Sequence, residues 1–251
     1  MTASGNAERF AARPLSGGGT PTHAWRGWGR PFPELDLTGC RAMLLVAPHP
    51  DDETLGFGAS AATLQARDIK VQVVSVSDGD ASNPRPSAAQ RSELAEMRRT
   101  ELRGATEILG LSPPIHLGLP DGELAKHTLE LADRLTELLD GVPGTWLAAT
   151  WRGDGHPDHE AVGRAAATVA DSVGVPLVEY PVWMWHWASP NDAAVPWQRA
   201  ARIAPDRTAV NRKQRAAGVF RTQLEPHGCD AAVLPPFVLQ RLLAVTELVF
   251  T

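Results

Sequence analysis

His49, Asp51 and Asp52 stand together in the run Ala47-Pro48-His49-Pro50-Asp51-Asp52-Glu53-Thr54. Carboxylates placed next to a core must be paired, hydrogen-bonded or metal-bound, because stripping water from the charge costs several kcal/mol. His49 and Asp52, three positions apart in a turn, can face one cation, which leaves Asp51 free to handle a proton. About a hundred residues later the chain supplies a second such group, Arg152-Gly153-Asp154-Gly155-His156-Pro157-Asp158-His159-Glu160. A catalytic zinc takes three protein ligands of His/His/carboxylate type and keeps a fourth position for water. His49, Asp52 and either His156 or His159 complete such a set. The plainer reading makes each Asp a helix cap. One Asp could serve that purpose; two, with a preceding His and a matching distal pair, favour a metal site.

Both groups follow short apolar runs. Arg41 to Ala47 and Thr145 to Thr150 have the length and bounding residues of buried strands, and the spacing predicts further strands over 70–76, 114–117 and 176–180. Helical patterns fall at about 54–67, 88–109, 127–140, 158–173 and 206–222, with Pro157 suited to a first helical position. Strands alternating with helices imply an α/β fold: a single, Rossmann-like, mostly parallel sheet with helices on both faces. Ligands of such sheets bind at the carboxyl ends of the strands, where both motifs fall.

Pro48-His49-Pro50-Asp51-Asp52-Glu53 followed by His156-Pro157-Asp158-His159 resembles the LmbE-like or PIG-L family of metal-dependent de-N-acetylases. Arg98-Arg99-Thr100-Glu101-Leu102 and Leu117-Gly118-Leu119-Pro120-Asp121-Gly122 are weaker matches to the same family, and the resemblance runs from about Ala42 to about Gln223. It implies metal ligands His49, Asp52 and His159, with Zn2+ as the cation and Fe2+ as another divalent candidate. It implies Asp51 as general base, His156 as general acid or electrophile, and Asp158 as the carboxylate that orients His156. Arg98 and Asp121 match positions that hold sugar hydroxyls. The implied activity removes an N-acetyl or other N-acyl group from an N-acetylglucosamine-type amino sugar, a small-molecule substrate. The chain departs from the family at Trp151-Arg152-Gly153-Asp154, where a Tyr or an Asn-Gly segment is common.

Taken without the resemblance, Arg98 reads equally as an exposed salt bridge to Glu96 or Glu101, and Asp121 as a turn residue in Pro120-Asp121-Gly122. His116 reads as a satisfied core histidine. Trp183, Trp185 and Trp187 alternate as one face of a strand would. Burial in the core or at a subunit contact of a homo-oligomer competes with a pocket rim on which Trp185 and Trp187 stack against substrate, with His186 lining the pocket.

Composition narrows the remaining classes. With 251 residues and 43% hydrophobic content, the chain has enough apolar material for one sizeable core. Residues 1–40, rich in Pro and Gly, read as an irregular arm; 41–251 read as one domain with a Trp-rich insertion at about 182–204. A net charge of −5 offers no broad cationic field for nucleic acid, and the Arg207–Arg215 basic run fits a solvated helix face. Cys40 and Cys229 form no disulfide framework. With no signal-peptide pattern and no membrane span, a cytoplasmic protein with reduced thiols is expected. The larger rivals are an amidase for a thiol-sugar or antibiotic conjugate and a non-enzymatic α/β binding module. No Gly-x-Gly-x-x-Gly follows the first strand, which counts against the module, and no Pro-Cys-x-x-Cys supports a nucleobase deaminase.

Overall fold

The computed structural model describes residues 4–81, 87–226 and 231–251. Two helices of the N-terminal arm, α1 (Ser4–Ala11) and α2 (Thr22–Arg26), precede an alternating series. That series runs β1 (Ala42–Ala47), α3 (Asp52–Ala66), β2 (Lys70–Ser75), α4 (Ala88–Leu109), β3 (Ile115–His116), α5 (Thr128–Leu139), β4 (Thr145–Thr150), α6 (Pro157–Val173) and β5 (Leu177–Tyr180). The chain ends through α7 (Met184–Trp187), β6 (Ala200–Ala201), α8 (Arg207–Ala217), α9 (Arg221–Leu224), α10 (Pro236–Ala244) and β7 (Val249–Phe250).

The sheet order is β3-β2-β1-β4-β5-β7-β6; the first five strands are parallel, and β7 is antiparallel to both β5 and β6. Strand β1 explains the architecture. Met43 and Leu45 join an apolar cluster on one face with Phe57, Leu64, Leu102 and Leu109, while Leu44 and Val46 join another with Leu131, Leu135 and Val162. A strand buried on both faces must be apolar throughout, as parallel sheets require. After β1 the chain winds outward through β2 and β3, then returns to the other side of β1 at β4. The crevice between the ends of β1 and β4 is therefore the topological switch point, the place where ligands bind in open α/β sheets.

Local signals set the helix bounds. Ser87 and Gln90 form a reciprocal capping box at the start of α4, and Gly110 ends it in a left-handed conformation. Pro157 opens α6 and Gly174 closes it. The helix expected over 206–222 divides at Gly218 into α8 and α9. The arm is not wholly irregular, although its Pro and Gly content suggested so. Trp25 of α2 is buried in the main core, edge-on to Trp185, and donates through Nε1 to the Trp185 carbonyl at 3.0 Å. Cys40 is buried and free; Cys229 lies outside the described residues.

Candidate metal centre and active site

The loop after β1 turns sharply to start α3. Asp51 takes φ 134°, a conformation that non-glycine residues rarely adopt, and the surrounding structure must hold it there. Its amide donates to Glu53 Oε2 at 3.0 Å, and Leu55 N–H donates to its carbonyl at 2.8 Å. Strain of this kind gathers at functional sites. The turn sends Asp51 and Asp52 in different directions. Asp52 Oδ2 lies 3.1 Å from His49 Nδ1 and 3.2 Å from His159 Nε2.

His159 arrives from α6, which sits tightly on the end of β4 because residue 163 is glycine: a β-carbon there would run into the Thr150 carbonyl. The His159 ring is fully buried, and its Nδ1 is 2.8 Å from Asp154 Oδ2. An acceptor-only carboxylate at Nδ1 keeps a proton there, so Nε2 is the nitrogen that can turn a lone pair to a cation once its own proton leaves. Nε2 is a buried ring nitrogen with no hydrogen bond, since its approach to Asp52 is not aligned for one. An orphaned imidazole nitrogen beside a carboxylate fits a cation site.

Single ligand atoms of His49, Asp52 and His159 lie within 4.8 Å of one another. Tetrahedral zinc, with bonds of about 2.0–2.1 Å, spans ligand-to-ligand edges of about 3.3 Å, close to the two separations above. The donor set and its spacing fit a divalent cation, in the combination that the family resemblance implies. His156 is not part of this triad. It belongs to a second grouping with His49 and Asp158 and lines the cleft.

Electrostatics separate the two adjacent aspartates. Burial raises Asp51 to about 8; Arg98 opposes the rise, whereas Asp52 and Glu53 add to it. For Asp52, burial also acts upward, but the close positive charge of His159 and the hydrogen bonds from His49 outweigh it and hold the carboxyl well below its usual range. Burial pulls His159 down, yet Asp52 and Asp154 carry it up to about 9. His156 goes the other way, to about 3, through burial and then the positive charges of His159 and His49. A neutral His156 suits the electrophile of the two roles that the resemblance implies, without a charge of its own. Its Nδ1 accepts the Asp158 amide at 3.3 Å, so Nε2–H is the ring's donor.

Asp158 also has a different neighbour from the one expected. Its carboxylate accepts from Gly122 N and Leu124 N at 2.9 and 3.2 Å, and its Oδ2 lies 3.2 Å from His49 Nε2. Asp121 Oδ1 is 3.1 Å from the same nitrogen. These two carboxylates back His49, not His156. Metal-bound imidazoles commonly donate their second N–H to such a carboxylate. Asp154, which no sequence pattern singled out, does the same for His159.

Arg98 is 3% exposed, so the exposed-salt-bridge alternative fails. It donates to the Gly79 and Pro50 carbonyls at 2.8 and 2.7 Å, and Glu101 instead accepts from Thr222. Gly79, at φ 66°, is required here because a β-carbon would strike the Arg98 guanidinium. His116 is half-buried, and its Nδ1 lies 3.5 Å from Asp78.

The cleft above these groups has a volume of about 220 Å³. His49, Asp51, Asp52, Arg98, Asp121, His156 and Asp158 form its polar side, and Leu55, Val182, Trp183 and Leu234 its apolar side. Trp185 and Trp187 do not reach it. The period of two in Trp183-Met184-Trp185-His186-Trp187 suggested a strand, but Met184–Trp187 is a helical turn that folds the two indoles into the core. Trp187 Nε1 donates to the Asp154 carbonyl at 2.7 Å. His186 is also buried, with Nε2 against the Arg13 carbonyl and Nδ1 against Arg241. Trp183 alone of the three faces the cleft.

The sequence is 33% identical over 127 residues to a protein of Bacillus subtilis (strain 168) described as a probable N-acetyl-alpha-D-glucosaminyl L-malate deacetylase 2, covering 49% of this chain and 58% of that one. It is 27% identical over 179 residues to a 1D-myo-inositol 2-acetamido-2-deoxy-alpha-D-glucopyranoside deacetylase of Mycolicibacterium gilvum (strain PYR-GCK), covering 61% of each. The match thus spans about three fifths of the length of these curated relatives. In fold, the chain is similar to the N,N'-diacetylchitobiose deacetylase from Pyrococcus horikoshii, with a TM-score of 0.56, 21% identity and coverage of 76% of this chain and 74% of that one. The family model for GlcNAc-PI de-N-acetylase matches residues 44–170, a span that holds both His/Asp motifs and stops short of Gln223. That segment is just over half of the sequence, and the chain belongs to the GlcNAc-PI de-N-acetylase (PIG-L) family.

Proposed function

We propose that this protein is a zinc-dependent hydrolase that removes the N-acetyl group, or a related N-acyl group, from an amino sugar. One observation carries the reading: the orphaned His159 Nε2, held beside Asp52 and His49 at the floor of a cleft that also presents Asp51 and His156. The relatives' names, all deacetylases of N-acetylated glucosamine derivatives, support the choice of substrate class.

His49, Asp52 and His159 would hold the cation, which polarises an amide carbonyl and lowers the pKa of bound water when present. Asp51 takes the proton of the attacking water. Its raised pKa suits it to keep that proton and then pass it to the departing nitrogen, so that amide plus water becomes acetic acid plus free amine. His156 donates Nε2–H to the developing oxyanion without carrying a charge of its own. Arg98 and Asp121 line the cleft, Arg98 bracing the Asp51 loop and Asp121 backing His49, and Trp183 with Val182 offers an apolar platform to the ring or the acyl group.

The test is acetate release from N-acetylglucosamine glycosides by zinc-loaded and chelator-treated protein. Hydrolysis that needs the cation and fails in His159→Ala supports the reading. Hydrolysis that survives the loss of both rejects it.

A further inference from the structure

We propose that Asp154 is a positioning residue with two tasks: it fixes His159 for the cation, and it ties the metal site to the cleft wall at Val182–Met184. The proposal rests on the metal-dependent reading above. Asp154 is fully buried, and among the described residues no Lys or Arg pairs with it. Four N–H groups satisfy its carboxylate instead. Oδ2 accepts from His159 Nδ1 at 2.8 Å and from Trp183 N at 2.9 Å; Oδ1 accepts from Val182 N and Met184 N, each at 2.9 Å. Three consecutive amides converging on one carboxylate form a small anion nest, and the fourth donor is a metal ligand.

The chemistry follows from that geometry. A carboxylate can only accept, so His159 must keep its proton on Nδ1 and offer Nε2. Carboxylates in this position routinely raise the basicity of a ligating imidazole and fix its orientation. When Nε2 gives its lone pair to a cation, the ring is held from both sides and Nδ1–H stays aimed at Asp154. The same carboxylate holds the amides of Val182 and Trp183, whose side chains line the cleft. Cation uptake should therefore tighten the wall against which substrate lies.

Asp154→Asn is nearly isosteric but presents an NH₂ either to His159 Nδ1 and the Trp183 amide or, flipped, to the amides of Val182 and Met184. The first orientation loses the His159 bond or turns the ring to the tautomer that cannot ligate; the second opposes the wall amides and leaves His159 a neutral, weaker acceptor. Zinc affinity, read by competition with a chromophoric chelator, should weaken by roughly 10- to 100-fold. Hydrogen exchange gives the second readout: zinc should slow the amides of Val182, Trp183 and Met184 in the wild-type chain, on the order of tenfold, one RT ln 10 step of about 1.4 kcal/mol. That zinc-linked difference should vanish in Asp154→Asn. Trp187→Phe, which removes the bond to the Asp154 carbonyl and spares the carboxylate, controls for simple loosening of the loop and should change zinc affinity by less than about threefold, under 1 kcal/mol.

Equal zinc affinity in wild type and Asp154→Asn overturns the proposal alone, as does a Trp187→Phe loss as large as that of Asp154→Asn. If Asp154→Asn does not fold, the wild-type exchange experiment decides: no zinc-linked protection at 182–184 overturns the coupling. A wild-type chain that takes up no zinc overturns the metal reading and the proposal with it.

Discussion

Arg98 Nη2 lies 3.4 Å from Asp51 Oδ2, with both side chains almost wholly buried. The separation is longer than a strong ion pair, because Arg98 spends its best-aligned N–H groups on the Pro50 and Gly79 carbonyls. Arg98 thus braces the loop that carries Asp51 and moderates its basicity, without neutralising it. Burial pushes Asp51 up to about 8, and the guanidinium opposes the rise.

Arg98→Met should move the acid limb of the pH–rate profile upward. Removing the cation raises the Asp51 pKa, so less of it is ionised at pH 7 and the rate there falls, by roughly 10- to 100-fold for a shift of one to two pKa units. Zinc content should stay near that of the wild type. A profile that keeps its acid limb in place would show that Arg98 does not tune Asp51.

The neighbouring aspartates should fail in different ways. Asp52→Asn loses the oxygen shared by the two imidazoles and should lose most bound zinc together with activity. Asp51→Asn should retain zinc while the rate falls by about two to four orders of magnitude, the span expected for a general base. Zinc analysis beside kcat on the same preparations checks the division; equal zinc loss in both variants contradicts it.

Stability should depend on pH and on the cation together. In the metal-free chain Asp51 is raised from 3.8 to about 8 and His159 from 6.5 to about 9, so the folded state binds more protons than the unfolded one through these windows. The sign follows: stability falls as pH rises, for Asp51 between about 4 and 8 and for His159 between about 6.5 and 9. The melting temperature of chelator-treated protein should drop from pH 6.5 to 9. Zinc should stabilise more at pH 8.5 than at pH 6.5, and its binding at pH 7 should release protons, measurable by calorimetry in buffers of different ionisation enthalpy. Zinc binding without proton release would contradict these assignments.

The tryptophans should separate into wall and core. Trp185→Ala and Trp187→Ala remove buried indoles and should destabilise by about 3–5 kcal/mol, read by denaturant unfolding. Trp183→Ala should cost far less stability and instead raise KM for a bulky glycoside while leaving kcat nearly unchanged. If Trp185→Ala raises KM without destabilising, its placement in the core is wrong.

Much of this was legible from residue order. The apolar runs at 41–47 and 145–150 are long enough and regular enough to fix β1 and β4, and with them the place where His49, Asp52 and His159 meet. Other parts were not. Asp154 sits in Gly153-Asp154-Gly155, where an Asp usually marks a turn, and its partners at 182–184 are backbone amides that leave no trace in the sequence. Asp158 lies two residues from His156, so pairing them was natural. The helix start instead aims the carboxylate at His49 and leaves His156 bonded to the Asp158 amide. The tryptophan alternation misled because a single helical turn of four residues is too short to show a period of its own. The arm's helices pack through one or two aromatic anchors, Trp25 above all, too sparse a pattern to announce burial.

A cation on His49, Asp52 and His159 that enables amide hydrolysis at the floor of this cleft is the central claim. Titrating metal-free protein with zinc while following both bound metal and acetate release from an N-acetylglucosamine glycoside tests it most directly. Acetate release should rise in step with the first equivalent of zinc and be absent in His159→Ala, which should bind none at that site. Zinc bound in wild type with no amide cleaved across a panel of N-acyl amino sugars, or cleavage that proceeds without zinc or any other divalent metal, would contradict the account.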